Sequence, residues 1–185
     1  MDIDRSALLP RLDCRRALLR PWRMDDLACL QANASAATLA PGEVDVLPYP
    51  YVGTDGRGWL ARAVAAIDAA WAVDVGGAAI GGISLNMARR EVAAEAELGY
   101  WLGRQHWGQG LMTAIVGTFV PRALAAFGLA RMFATVYEGR AASVRVLRKC
   151  GFSLESTHMS AVAQQGRALR IEIHAIAGPP GNAAT

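Results

Sequence analysis

The sequence predicts a mixed α/β domain, with antiparallel strands first, strand and helix alternating afterwards, and helices on both faces of one central sheet. Three observations lead there. Residues 70–75 and 78–87 are apolar runs separated by Gly76-Gly77, a hairpin signal. Leu111, Ile115, Phe119, Ala123 and Phe127 recur every four residues, the period of a long amphipathic helix. After that helix come a strand-like run at 131–137, a short helical stretch at 141–150 and a strand pair within 152–176.

The chain has 185 residues, 53% of them hydrophobic and 19% charged, which suits one folded domain with a sizeable core. Its net charge of +3 is mild, and no run of Lys or Arg suggests a nucleic-acid partner. Cys14, Cys29 and Cys150 are odd in number and widely spaced, so they read as reduced thiols. His106, His158 and His174 do not cluster with cysteines, and no metal site is expected. Asp2 and Asp4 make a poor signal peptide, and no apolar run approaches the roughly 20 residues a membrane span needs. A soluble, cytoplasmic protein is the expectation.

The elements can be justified in order. Residues 15–21 form a first strand ending at Pro21, and Asp25 and Asp26 sit where a helix through Leu27, Leu30 and Asn33 begins, matching the helix dipole. Residues 41–58 hold Pro48, Tyr49, Pro50, Tyr51, Gly53 and Gly56 and read as a covering loop. Leu60, Val64 and Ile67 resume helical spacing. The hairpin follows, then a strand at 95–102. In the long helix Pro121 removes a backbone donor, so a kink is expected near Gly117. Gly151 caps the next helix, and the last hairpin turns near Gln165-Gly166. Residues 1–14 are expected to be an extension, 15–177 the domain, and 178–185 a loose tail.

The informative segment runs from Glu97 to Gly110, where a strand ends in a glycine-bearing turn and a helix starts at once. Amides at a helix N-terminus bind phosphate, and Gly108 and Gly110 let backbone approach a ligand. The spacing is neither Gly-x-Gly-x-x-Gly nor a Walker loop. Taken alone, the two glycines fit a simple tight turn equally well.

Gln105-His106-Trp107-Gly108-Gln109-Gly110 resembles the Gln/Arg-x-x-Gly-x-Gly/Ala motif of the GNAT (Gcn5-related N-acetyltransferase) superfamily. Glu97-Leu98-Gly99-Tyr100-Trp101-Leu102 is similar to the Glu-Ile-Gly-Tyr-Trp-Leu strand of the subgroup holding the ribosomal-protein N-terminal acetyltransferases RimJ and RimL. Residues 143–152 resemble that subgroup's Ser-x-x-Val-Leu-x-Lys-x-Gly-Phe, and Leu18-Leu19-Arg20-Pro21-Trp22 its first strand. The likeness covers about residues 15–176.

The resemblance implies a mostly antiparallel mixed sheet of about seven strands, splayed between the fourth and fifth, here 95–102 and 131–137. Pantetheine of acetyl-CoA inserts there, pairing with backbone of Tyr100, Trp101 and Leu102. The amides from Gln105 through Trp107, Gly108, Gln109, Gly110 and Leu111 to Met112 hold the pyrophosphate. Transfer of acetyl to a primary amine, on a protein N-terminus or a small molecule, is the implied reaction. A non-catalytic acyl-CoA-binding or sensory module on the same fold is the alternative. No metal, nucleic acid or membrane is implied, and a homodimer is compatible with the family.

Amine acetylation needs a neutral nucleophile and a proton for the departing thiolate. Glu95 and Glu97 alternate with Ala96 and Leu98, so both carboxylates share one strand face, roughly 7 Å apart. Glu97 matches the family's strand glutamate and is the leading base. A solvated strand face is the plainer reading. The tyrosine that many relatives use as acid is here Leu147, and Ser143 can donate instead unless it only serves the helix N-terminus. Arg140 stands where the family has asparagine and could meet a coenzyme phosphate. Arg170 aligns with a subgroup aspartate, which leaves the acceptor open. Tyr49 and Tyr51 are the candidates for lining the acceptor pocket; Trp59 is a weaker one, and Trp71 reads as core.

Overall fold

The structure, a computed structural model, describes residues 11–34, 56–65, 69–87, 94–159 and 168–179. Among the described residues eight strands and four α-helices follow one another as β1 (Leu12–Asp13), β2 (Leu18–Pro21), α1 (Leu27–Asn33), α2 (Gly56–Val64), β3 (Ala69–Val75), β4 (Ala78–Met87), β5 (Glu95–Leu102), α3 (Leu111–Ala126), β6 (Arg131–Tyr137), α4 (Ala141–Lys149), β7 (Ser153–Met159) and β8 (Arg170–Ala177). The strand order is β1-β2-β3-β4-β5-β6-β8-β7. This is the expected mixed, mostly antiparallel sheet, with one strand more than foreseen. The two-residue β1 supplies it, too short to carry a period in the sequence. The chain divides into two compact units, Met1–Leu85 with Gly99–Ile115 and Asn86–Leu98 with Val116–Thr185.

In the first unit, β3 and β4 form the hairpin across Gly76 and Gly77, both at positive φ. Asp74 closes its turn by accepting the Gly77 N–H at 2.8 Å. The same Asp74 reaches the buried Arg20 at 2.7 Å, and Arg20 holds Asp26 through two further bonds of 2.7 and 2.8 Å. Burial would push the Asp26 carboxyl up, but Arg20 and the Arg23 N–H outweigh it and hold the group below its ordinary value. Asp26 was expected to serve a helix dipole. It stands at the N-cap position of α1 and accepts the Arg23 N–H at 2.8 Å, and it also pairs with Arg20, which is 2% exposed and must be paired.

The core of this unit is aromatic. Trp22 meets Trp59 edge-on at 5.3 Å and stacks on Trp101 at 6.4 Å. Trp59 and Trp71 are both buried, so both are core residues. Helix α2 runs Gly56–Val64, so it begins inside the stretch 41–58 that was expected to be a loop. Gly56 is buried, and a Cβ added there would lie 3.8 Å from Leu27 of α1, an ordinary contact. A side chain at Gly81 would run into the Trp101 carbonyl and Leu102, and one at Gly82 would come within 2.9 Å of the Trp101 indole nitrogen. These two glycines let β5 and its tryptophan lie close on β4.

In the second unit, β6 pairs in parallel with β5 from Glu95↔Arg131 to Glu97↔Phe133, and antiparallel with β8 along its whole length. Helix α3 runs unbroken through Pro121, which lies on the exposed side, as does Gly117, whose carbonyl loses its partner there. Helix α4 ends as its sequence predicts. Gly151 takes φ 91°, its N–H donates to the Arg148 carbonyl at 3.2 Å, and the Phe152 N–H donates to the Leu147 carbonyl at 3.0 Å. That is a Schellman closure, with Leu147 and Phe152 both buried as the motif requires. His174 of β8 is fully buried and its Nε2 lies 3.0 Å from Glu172.

Candidate functional site

The first unit carries the glycine turn. Strand β5 ends at Leu102, the Gly103 N–H donates to the Ile80 carbonyl at 2.9 Å, and Arg104–His106 form one turn of 3-10 helix. Gly108 and Gly110 both adopt φ 74°, the left-handed region that favours glycine. A Cβ at either would meet nothing within 4 Å, so conformation and not crowding selects these glycines. The first ladder bond of α3 runs from the Ala114 N–H to the Gly110 carbonyl at 3.1 Å. The amides of Leu111 and Met112 therefore precede the helical ladder, at the positive end of a 16-residue helix. Leu111 and Met112 are both buried residues.

Side-chain hydrogen bonds pin this turn. Gln105 donates to the Oδ1 of Asn33 at 2.6 Å, and Asn33 in turn donates to the Cys29 carbonyl at 2.9 Å and the Ala79 carbonyl at 3.3 Å. Trp107, 40% exposed, donates its indole N–H to the Leu102 carbonyl at 2.7 Å. Arg16 donates to the Gln109 carbonyl at 3.1 Å and brings a positive charge to the turn. The side chains of Gln105 and Trp107, singled out from the motif, thus act as struts, and Trp101 packs into the tryptophan cluster. Asn33 and Arg16 were missed, since a polar residue ending a helix and an arginine in an N-terminal segment have no signature of their own. Gly103 gave a clue in retrospect: a Cβ there would collide with Asn33.

The second unit carries the carboxylates, and it treats them differently. Glu95 lies 2.9 Å from Arg131, which also pairs with Glu155 and sits 4.7 Å over the Phe133 ring. Glu155 foremost, and then Glu95, hold the Arg131 guanidinium above its ordinary pKa against the opposing effect of burial. Glu97, half-buried on the same face, accepts a 2.6 Å hydrogen bond from the Thr135 hydroxyl. Among the described residues no cation pairs with Glu97.

In the same unit Arg140 is the N-cap position of α4, and its side chain makes no capping bond. Ser143 is the third helical residue, its N–H donating to the Arg140 carbonyl at 3.0 Å. Leu147 is fully buried, a core position with no polar atom to offer. Arg170 pairs with Glu172 on its own strand. Tyr49 and Tyr51 lie outside the described residues.

Residues 16–153, more than half of the chain, match the Acetyltransferase (GNAT) domain family. Over 84 residues the chain is 31% identical to the uncharacterized N-acetyltransferase YoaA of Bacillus subtilis (strain 168), covering 45% of this chain and 48% of YoaA. The chain thus spans about half the length of the curated relative it matches. Its fold is similar to the ribosomal-protein-S5-alanine acetyltransferase from Vibrio fischeri, with a TM-score of 0.74 at 16% identity over 92% of this chain and 97% of that one. It is similar also to yncA from Salmonella typhimurium, solved with its cofactor acetyl-CoA, with a TM-score of 0.72 at 19% identity over 91% and 98%. At such identities these structures speak for the fold alone, whereas the family match speaks for descent. The chain belongs to the GNAT acetyltransferase family.

Proposed function

We propose that this protein is an acetyl-CoA-dependent N-acetyltransferase acting on a primary amine, either a protein N-terminus or a small molecule. The observation that carries the reading is the turn before α3. Two glycines at φ 74°, with open space beside both, lead into the N-terminus of a long helix. Backbone amides and a helix dipole there suit a pyrophosphate, and Arg16 adds charge. In this reading the amides from Gln105 to Met112 hold the pyrophosphate, backbone of Tyr100 to Leu102 meets pantetheine, and Arg140 meets a coenzyme phosphate.

Glu97 takes the proton that the amine loses, through a water, as the new C–N bond forms. Ser143 supplies a proton to the sulfur as the C–S bond breaks, and solvent restores its hydroxyl. Among the described residues no cation pairs with Glu97, which supports its choice over Glu95, whose carboxylate is already engaged by Arg131. The buried Leu147 supports the choice of Ser143, because that position has no proton to give. Work in the cytoplasm, a RimJ/RimL-like place in the family and a homodimer belong to the same proposal.

The test is thiol release from acetyl-CoA with a panel of amines and peptide N-termini. Turnover with at least one acceptor is expected. Tight acetyl-CoA binding with no thiol released across the whole panel would favour the second reading, a non-catalytic acyl-CoA-binding module. Leu147 and Arg140, both departures from the family's motif, keep that reading in play.

A further inference from the structure

We propose that Thr135 is the positioning residue of Glu97, fixing which of its two carboxylate oxygens receives the proton; this rests on the reading of Glu97 as the base. Strand register makes the arrangement intelligible. Glu95 lies opposite Arg131 and finds an ion pair directly across the ladder. Glu97 lies opposite Phe133, which has no polar atom, so its carboxylate reaches the next residue on that face of β6, Thr135. Two identical side chains, two residues apart, are thereby given different surroundings by their neighbours.

An ionised carboxylate only accepts, so the hydroxyl donates, and the 2.6 Å separation is that of a short charge-assisted bond. Threonine is restricted at χ1, which limits the directions its hydroxyl can take. Oε1 is consequently the anchored oxygen and Oε2 the one turned to the incoming water or amine. A serine would keep the donor with a looser rotamer. A valine would keep the shape and remove the donor. Among the described residues Thr135 is the one side chain hydrogen-bonded to Glu97.

The experiment uses the full chain and the best amine from the acceptor panel. For Thr135→Val, Thr135→Ser, Glu97→Gln and the double variant Thr135→Val/Glu97→Gln, the measurements are kcat, acceptor KM, acetyl-CoA affinity and melting temperature. Thr135→Val should lower kcat about tenfold while KM, coenzyme affinity and melting temperature hold, because misplacing a reacting group acts on turnover. Thr135→Ser should restore most of the loss. The double variant should be no slower than Glu97→Gln alone, since Thr135 acts only through Glu97.

Wild-type kcat in Thr135→Val, with Glu97→Gln impaired, overturns the positioning role and leaves the base in place. Full activity in Glu97→Gln, or no turnover with any amine, overturns the underlying reading and this proposal with it. A fall in melting temperature that Thr135→Ser does not reverse assigns the residue to stability and also overturns the proposal.

Discussion

Replacing Gly108 with valine separates the conformation of the turn from the space around it. A Cβ at this position meets no atom within 4 Å, so the variant suffers no clash in the free protein. The penalty comes from φ, which is 74° and which an L-residue reaches at a cost of roughly 1–2 kcal/mol. A turn that relaxes to escape this strain must be re-formed when phosphate binds, so the strain reappears as lost affinity. About 1.4 kcal/mol is tenfold in the dissociation constant, and the valine branch would add obstruction where backbone approaches the ligand. Calorimetry with acetyl-CoA should therefore show affinity at least tenfold weaker, with the melting temperature little changed. Gly108→Asn should lose less, because asparagine tolerates the left-handed region better than a β-branched residue. Wild-type affinity in a folded valine variant would refute both the assignment of the turn and the strain argument.

Glu97→Gln should reduce turnover on the order of a hundredfold or more with acetyl-CoA binding intact, and normal rates from pH 6 to 9 would move the base elsewhere. Ser143→Ala should keep its melting temperature and lose turnover if the hydroxyl protonates the sulfur; a loss of about 1 kcal/mol of stability at full turnover would mark a helix-end role instead. Asp26→Asn breaks one side of a buried ion cluster and should destabilise by roughly 3 kcal/mol near neutral pH. Because the folded Asp26 carboxyl is held below its unfolded value of about 3.9, its contribution is complete above that value and fades as pH falls through the folded one. The stability gap between wild type and Asp26→Asn should accordingly close in strong acid, and a gap constant from neutrality to pH 2 would contradict the assignment.

The strands β4, β5 and β6 were legible to the residue because each is a run of apolar and alternating residues with a glycine close to at least one end. Helix α4 was legible for the same reason, since Gly151 stops it. What the sequence hid were interactions between residues far apart in the chain. Arg20, Asp26 and Asp74 look like ordinary surface charges until folding buries them together. Thr135 is an unremarkable strand residue, and only the parallel register with β5 brings it to Glu97. Asn33 ends a short helix and gives no hint that it holds Gln105, 72 positions away. Local spacing carries the glycine turn well and the carboxylate site only in part, because long-range hydrogen bonds decide the latter.

The five tryptophans of this chain are not equivalent emitters. Trp22, Trp59 and Trp71 are enclosed, and Trp101 is stacked on Trp22, so their light comes from a dry, rigid setting. Trp107 alone among them is freely hydrated, and its indole is tethered to the Leu102 carbonyl inside the glycine turn. The difference between the emission of the wild type and that of Trp107→Phe isolates that single indole. Any ligand that settles on the turn displaces water from it and shifts its emission to the blue, while the enclosed indoles stay silent. The protein thus carries its own optical reporter at the turn, and Trp107→Phe supplies the blank.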